Sequence, residues 1–317
     1  MNPNLKRAIE KAGSIALTGH KHPDGDCVGS CIAAYRVIRK MFPQKTVKLY
    51  LETIPDNLRV FEDEAAIDST FSAPDEPFDL FLILDCSSED RFPCAADMVK
   101  AAKHTFVIDH HMTNTHFADE EVVVADASST CEVLFDLLDG EELDAETAKA
   151  LYLGIVHDTG VFKYTACKEH TMTVAGKLLS AGVDAQKIID DTLYRKSFLQ
   201  NRLIGYALLH SQLALDGKMI YTKLSLAEMA EFGATPADTE GIIDQLRLTR
   251  GIEVALFARE DEKDTYKLSM RAIADVNVAS ICATFGGGGH RLAAGCNATG
   301  DFDDILTQVS ALVMLQL

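Results

Sequence analysis

Four short segments of the 317-residue chain gather aspartate and histidine in patterns that suit divalent-metal chemistry. The first is Gly19-His20-Lys21-His22-Pro23-Asp24-Gly25-Asp26-Cys27-Val28-Gly29-Ser30. Two aspartates two residues apart on a turn, with a histidine four residues before the first, can converge on adjacent ions. Pro23 stiffens the path and Gly25 permits a tight one. Taken alone, this segment reads also as a polar turn whose aspartates cap a helix. The second is Leu84-Asp85-Cys86-Ser87, where one carboxylate directly follows an apolar run; by itself it is equally a turn residue or a cap. The third is Val107-Ile108-Asp109-His110-His111. From an extended backbone an adjacent histidine pair cannot point both rings the same way. One ring can therefore ligate a metal while the other faces a substrate or an orienting partner, unless both are loop residues at the surface. The fourth, Gly154-Ile155-Val156-His157-Asp158-Thr159-Gly160, places Asp158 at the end of an apolar helix, where the helix dipole disfavours an acid.

These side chains can meet only if regular elements carry them to one place. Residues 15–19, 46–51, 78–84 and 105–108 read as strands. Residues 28–41, 128–138 and 144–156 read as helices, the last with Asp144 as N-cap. Apolar strands separated by helices predict a parallel sheet covered on both faces. In such sheets ligands bind beyond the carboxyl ends of the strands. Three successive strand ends then deliver Asp or His to one edge, and a helix end adds Asp158. Histidine nitrogens with carboxylates and no thiolates suit manganese or a similar divalent ion better than structural zinc. Many carboxylates shared by few histidines suggest two ions with a bridging carboxylate. Such pairs lie roughly 3.5–4 Å apart and clamp the phosphoryl oxygens of an in-line displacement.

The second half changes character. A long helical stretch over 185–213 precedes strands at 218–224, 252–257 and 266–270, with a helix at 241–249 and a charged hairpin turn across 258–265. A helix over 276–285 should end at Gly286-Gly287-Gly288-Gly289, followed by His290. Backbone N–H groups in that run can approach a phosphate or base closely, although a lone glycine run also serves as a flexible cap and turn. The expected fold class is α/β: an N-terminal domain with a parallel sheet and helices on both faces, residues 1–190, and a smaller C-terminal α+β domain, residues 205–317, across a cleft. A helical connector, 191–204, would join them.

Bulk properties narrow the partners. Hydrophobic residues make up 47% and charged residues 25%, enough for two ordinary cores. A net charge of −18 argues against a long grip on duplex nucleic acid but not against small phosphate-bearing substrates, since bound metals invert the local field. The eight cysteines contain no CxxC pair and read as small buried hydrophobes. No apolar run reaches the roughly 20 residues that span a bilayer, and none follows the N-terminus as a signal peptide would. A cytoplasmic protein without membrane association is expected. His104, His116, His157, His170 and His210 read as ordinary surface or core residues, and Glu260-Asp261-Glu262 as a solvated turn.

The joint pattern resembles the DHH phosphoesterases with an attached DHHA1 domain, and within them the bacterial oligoribonuclease/phosphoadenosine phosphatase group. The matching pieces are His20, Pro23, Asp24, Asp26, Gly29 and Ser30, the lone Asp85, Asp109-His110-His111, the Asp158 segment, and Gly286 to Gly295. The family usually carries another polar residue, often Asn, where this chain has His22. The resemblance implies that His20 and Asp24 hold one manganese ion and Asp26, His110 and Asp158 the other, with Asp85 bridging. Asp109 would orient His110, and His111 would face the scissile phosphate. Arg271, Gly288, Gly289 and His290 would bind the nucleotide portion of the substrate, with the Arg271 guanidinium suited to bidentate contact with a terminal phosphate. A hydroxide bridging the metals would hydrolyse short oligonucleotides to mononucleotides, 3′-phosphoadenosine 5′-phosphate, or both. Cyclic or linear dinucleotides of the di-adenylate type are the alternative substrates, and a non-catalytic nucleotide sensor is the alternative of another class. Family members are commonly dimers, so a homodimer is expected.

Overall fold

The computed structural model describes residues 1–138, 143–164, 166–273 and 275–317. The chain divides between Arg195 and Lys196 into two compact units. The N-terminal unit runs α1 (Pro3–Lys11), β1 (Ser14–Thr18), α2 (Gly25–Met41), β2 (Thr46–Tyr50), β3 (Ile67–Asp68), β4 (Leu80–Leu84), α3 (Ala96–Ala101), β5 (Thr105–Asp109), β6 (Glu120–Val123), α4 (Thr130–Leu138), α5 (Ala145–Asp158), α6 (Glu169–Ser180) and α7 (Ala185–Ile189). Its sheet has the order β3-β2-β1-β4-β5-β6, and every pairing is parallel.

Strand periodicity splits the core into two layers. Ile15, Leu17, Leu80, Leu82, Leu84, Phe106 and Ile108 face the layer built with α1, α2, α4 and α5. The alternate residues Ala16, Phe81, Ile83 and Val107 face the layer that includes Met98 and Val99 of α3. β4 is buried at every position, as a central strand covered on both faces must be. This is the α/β architecture expected from the sequence.

The C-terminal unit continues with α8 (Phe198–Leu209), β7 (Gln212–Ala214), β8 (Met219–Leu224), α9 (Leu226–Phe232), α10 (Ile242–Arg247), β9 (Val254–Glu262), β10 (Thr265–Ala272), α11 (Val278–Thr284), β11 (Gly288–His290), β12 (Ala293–Thr299) and α12 (Phe302–Met314). Its six-stranded sheet has the order β11-β12-β10-β9-β8-β7, antiparallel except between β8 and β9. One face packs on α11 and α12. On the other face α8, α9 and α10 cover β8 and β9.

The helical stretch expected over 185–213 is interrupted inside the expected connector 191–204. α7 ends in a π-helical turn, Asp190–Tyr194, after which Arg195 is extended. Ser197 and Gln200 then start α8 with a reciprocal capping box, each side chain accepting from the other residue's backbone N–H. The hairpin turn is also shorter than expected, because β9 runs to Glu262 and β10 resumes at Thr265.

Candidate metal centre

Each element that supplies the first unit's acidic cluster ends where a short loop can turn a side chain over the sheet edge. Beyond β1, His20 is 5% exposed, and its Nδ1 lies 2.8 Å from the Lys21 carbonyl. That contact leaves Nε2 directed at Asp24 Oδ1, 3.6 Å away, and Asp85 Oδ2, 3.5 Å away. Asp24 is the N-cap of α2 and accepts from the backbone N–H of Asp26 and Cys27, both at 3.1 Å. Gly25 follows because nothing larger fits: a Cβ there would fall 2.2 Å from the His157 ring.

Asp26 is buried in the first turn of α2. The first two backbone N–H groups of α4 bind it, Thr130 N at 2.6 Å and Cys131 N at 2.9 Å. A helix N-terminus is a natural site for a carboxylate, since its N–H groups lack intrahelical partners. Close packing of α2 on α5 makes room for this. A Cβ on Gly154 would lie 2.6 Å from Asp26 Oδ1 and 2.3 Å from Cys131 Sγ.

Asp85 is the centre of the arrangement. Its φ of 59° is left-handed, a conformation that is costly for a non-glycine residue and is held here by its N–H bond to the Ile108 carbonyl, 3.0 Å. The Thr130 hydroxyl donates to Oδ1 at 2.9 Å. Asp85 Oδ2 faces His20, while Oδ1 lies 3.8 Å from His110 Nε2 and 3.7 Å from His111 Nδ1. His110 Nε2 also lies 3.1 Å from Asp158 Oδ2 and 3.9 Å from Asp26 Oδ2.

Three sets of potential ligand atoms result, each within 4.8 Å of one another: His20–Asp24–Asp85, Asp26–His110–Asp158 and Asp85–His110–His111. Asp85 belongs to the first and third, and His110 links the third to the second. The donors are imidazole nitrogens and carboxylate oxygens only, a set that suits manganese-like ions.

The electrostatics fit a cation-binding site. Burial pushes the Asp26 carboxyl well above the usual range, with the nearby Asp85 and Asp158 charges adding to it. Burial likewise raises Asp158. Burial opposes charging His20 and His110, but their carboxylate neighbours outweigh it and push them up to about 12 and about 10. The cluster therefore attracts protons where two divalent ions would supply the missing positive charge.

Two expectations about orientation need correction. Asp109 does not hold His110. Its Oδ1 accepts from His111 Nδ1 at 2.7 Å and its Oδ2 from Asn114 Nδ2 at 2.7 Å, while His110 Nδ1 faces the Ala127 carbonyl at 3.4 Å. Nor do the two histidine rings diverge. They lie past the end of β5, free of strand alternation, with centroids 4.6 Å apart and planes tilted by 55°. His22 stands apart: its side chain is 91% exposed beside Glu52, and it joins none of the three sets.

Thr130 and Asn114 were not among the expected site residues. Thr130 contacts both Asp26 and Asp85, and Asn114 secures Asp109. The signal for Thr130 was the run Ser128-Ser129-Thr130 before an apolar helix, a capping signature that says nothing of what the helix end binds. His157 is half-buried and packed on Gly25, its Nε2 lies 2.9 Å from Thr192 Oγ1, and desolvation pushes its pKa down to about 4, as suits a packed neutral residue.

In the C-terminal unit the strand register aligns Arg271 with Ala293 and Ala293 with His290. Directly opposed residues share a sheet face, so Arg271 and His290 lie on one face, as does Gly288, opposite Gly295. Gly289 turns its Cα to the other face. A Cβ there would meet the Ala293 carbonyl oxygen at 2.6 Å.

The DHH family N-terminal domain matches residues 14–155, and the DHHA1 domain matches residues 216–314. Thermus thermophilus has a protein named bifunctional oligoribonuclease and PAP phosphatase NrnA that is 29% identical, with 98% of this chain and 92% of that protein aligned. The Bacillus subtilis cyclic-di-AMP phosphodiesterase GdpP is 23% identical over 90% of this chain, which spans 45% of that longer protein. The crystal structure of an exopolyphosphatase-related protein from Bacteroides fragilis shares the fold, with a TM-score of 0.88 at 23% identity and 98% of this chain and 95% of that one covered. Among the described residues no helix is long and apolar enough to cross a membrane. The chain belongs to the DHH family of phosphoesterases, with DHHA1 as its second domain, and is a hydrolase of phosphoester bonds.

Proposed function

We propose that the N-terminal unit holds two divalent cations, manganese being the best match to its ligands, and that the chain hydrolyses short oligonucleotides and 3′-phosphoadenosine 5′-phosphate. The observation that carries this reading is the placement of Asp85, whose two carboxylate oxygens face different ligand sets. His20 and Asp24 would hold one cation and Asp26, His110 and Asp158 the other, with Asp85 shared. Once bound, such a pair lowers the pKa of a water toward neutrality and neutralises developing phosphoryl charge.

The remaining work falls to residues around that pair. Thr130 and the α4 N–H groups fix Asp85 and Asp26 so that the ligand oxygens need little rearrangement. Asp109 fixes His111 through Nδ1, which leaves Nε2 to donate to a phosphoryl oxygen. The hydrogen bond that His111 Nδ1 donates to Asp109 raises the His111 pKa, favouring the charged ring that such a contact needs. Arg271 and His290 share a sheet face that could take the nucleotide, with Gly288 beside them and Gly289 contributing backbone only.

The name of the Thermus relative supports the substrate assignment, and the likeness to GdpP supports a second reading, hydrolysis of cyclic or linear dinucleotides. A panel with manganese, comparing triadenylate, 3′-phosphoadenosine 5′-phosphate, linear di-adenylate and cyclic di-adenylate, separates them. Release of mononucleotide from triadenylate and phosphate from the bisphosphate is the expected result. Turnover of the cyclic compound alone would replace this reading with the second.

A further inference from the structure

The open part of the second sheet carries more positive charge than the nucleotide contacts account for. Along β10, Lys267, Ser269 and Arg271 share the face that α8, α9 and α10 leave uncovered, since no β10, β11 or β12 residue belongs to the core under those helices. Their partners on β12 are Asn297, Gly295 and Ala293, so the neighbouring floor beside Ser269 and Arg271 is small and flat. Ala294, Cys296 and Ala298 point the other way, into the core on α11 and α12. On the opposite flank these three β10 residues help line a cavity of about 390 Å³ together with Asp244, Phe257 and Arg259.

The three cations differ in what already holds them. Arg259 is committed to Asp261, at 2.6 Å through Nε, and to the Pro236 carbonyl and Thr239 hydroxyl, both at 3.3 Å. Arg271 is steadied at one side by Asp244, 3.6 Å from Nε, and donates from a terminal nitrogen to the Met270 carbonyl. Lys267 has no carboxylate partner, and the Ser269 hydroxyl no hydrogen-bond partner, among the described residues. An ammonium without a carboxylate beside an unbonded hydroxyl is free to make charge-assisted hydrogen bonds to an anion.

We propose that Lys267 and Ser269 form a second phosphate subsite beside Arg271, so that β10 recognises two consecutive phosphates of a short single-stranded oligonucleotide. Same-face residues on an antiparallel strand advance about 6.8 Å per pair. Lys267, Ser269 and Arg271 are thus three rungs, with one phosphate between Ser269 and Arg271 and the next between Lys267 and Ser269. The inference deepens the oligonucleotide reading above and rests on it for its biological sense, but its test needs no turnover.

The test is binding to the full-length chain in chelator, read by fluorescence anisotropy with labelled triadenylate and by competition with 3′-phosphoadenosine 5′-phosphate. Loss of one single-strand phosphate contact lowers the salt slope of binding by about 0.7. Lys267→Ala should show that drop, weaken triadenylate binding about tenfold, and weaken the bisphosphate at least about threefold less. Lys267→Arg should restore the salt slope. Ser269→Ala should weaken triadenylate binding without changing that slope. Triadenylate affinity within about twofold of wild type for Lys267→Ala, or equal losses for both ligands, would overturn the proposal. Failure of the hydrolysis reading would show instead as absent turnover in the manganese panel with this binding pattern intact.

Discussion

The two ends of the N-terminal sheet use the same residue type for different purposes. At the amino-terminal edge Asp79, just before β4, accepts from Gly13 N at 2.7 Å and Ser14 N at 3.0 Å and pairs with Lys103 at 2.7 Å. Asp119 there accepts from the backbone and hydroxyl of Thr105, both at 2.9 Å. At the carboxyl edge Asp26, Asp85 and Asp158 pair with histidines rather than with lysine or arginine, and they crowd one another. The pair with Lys103 holds Asp79 down to about 2, whereas burial drives Asp26 and Asp158 up. The distinction is one of partner supply. The amino-edge carboxylates bring their donors and counter-charge with them, whereas those at the carboxyl edge are oriented by donors and left short of positive charge.

Substitutions can break that contrast, and Asp85→Asn should do most damage. It removes the one carboxylate among the described residues that belongs to two ligand sets, so manganese-dependent turnover of short RNA should fall by about 10³-fold or more, the scale of several kcal/mol of lost charge stabilisation. Calorimetric titration should show the loss in bound manganese as well. A variant that kept its rate would place the chemistry elsewhere. Thr130→Val should come next. It deletes the hydroxyl donor to Asp85 but keeps the backbone donor to Asp26, so activity and metal affinity should drop about 10- to 100-fold with little change in melting temperature. Unchanged affinity would mean that the left-handed backbone of Asp85 aims the carboxylate unaided. Gly154→Ala tests the packing that admits Asp26. The added methyl collides with Cys131 and Asp26, and thermal unfolding should report about 1–3 kcal/mol of overpacking.

The same contrast explains what could be read in the chain beforehand. The gathering of Asp and His at the carboxyl edge was legible because most of these residues stand where an apolar strand or helix ends, and periodicity alone locates those ends. How the ligands are aimed was not legible. The Thr130 hydroxyl reaches Asp85 across 45 residues, and a Ser-Ser-Thr run looks the same whether the helix it caps binds water or a carboxylate. Asp109 was paired with the wrong histidine because the choice depends on the turn after β5, which spacing does not determine. In the second unit, β12 is an Ala-rich strand whose one β-branched residue, Thr299, stands at its end, so its role as the floor beside Arg271 emerged only with the register. The break before α8 was readable, since Ser197 and Gln200 have capping-box spacing, but helix-favouring sequence on both sides concealed it.

Asp79→Asn gives the smallest effect and the sharpest control. Asp79 is a partly exposed surface carboxylate and Lys103 is exposed, so solvent screening keeps their pair weak. Its folded pKa, about 2, lies below an unfolded value of about 3.9. The charged form is therefore the one the fold favours, and the stabilisation is fully present above the unfolded value and lost as pH falls through the folded one. The stability gap between wild type and Asp79→Asn should accordingly be constant from neutral pH down to about 5 and close progressively below about 4. Denaturant melts across that range read it directly. Manganese stoichiometry should not change at any pH where both proteins are folded, because the candidate metal centre lies at the opposite strand ends and shares no contact with this clamp. If Asp79→Asn instead cost manganese binding as Asp85→Asn does, the two edges would be coupled and partner supply would not distinguish them.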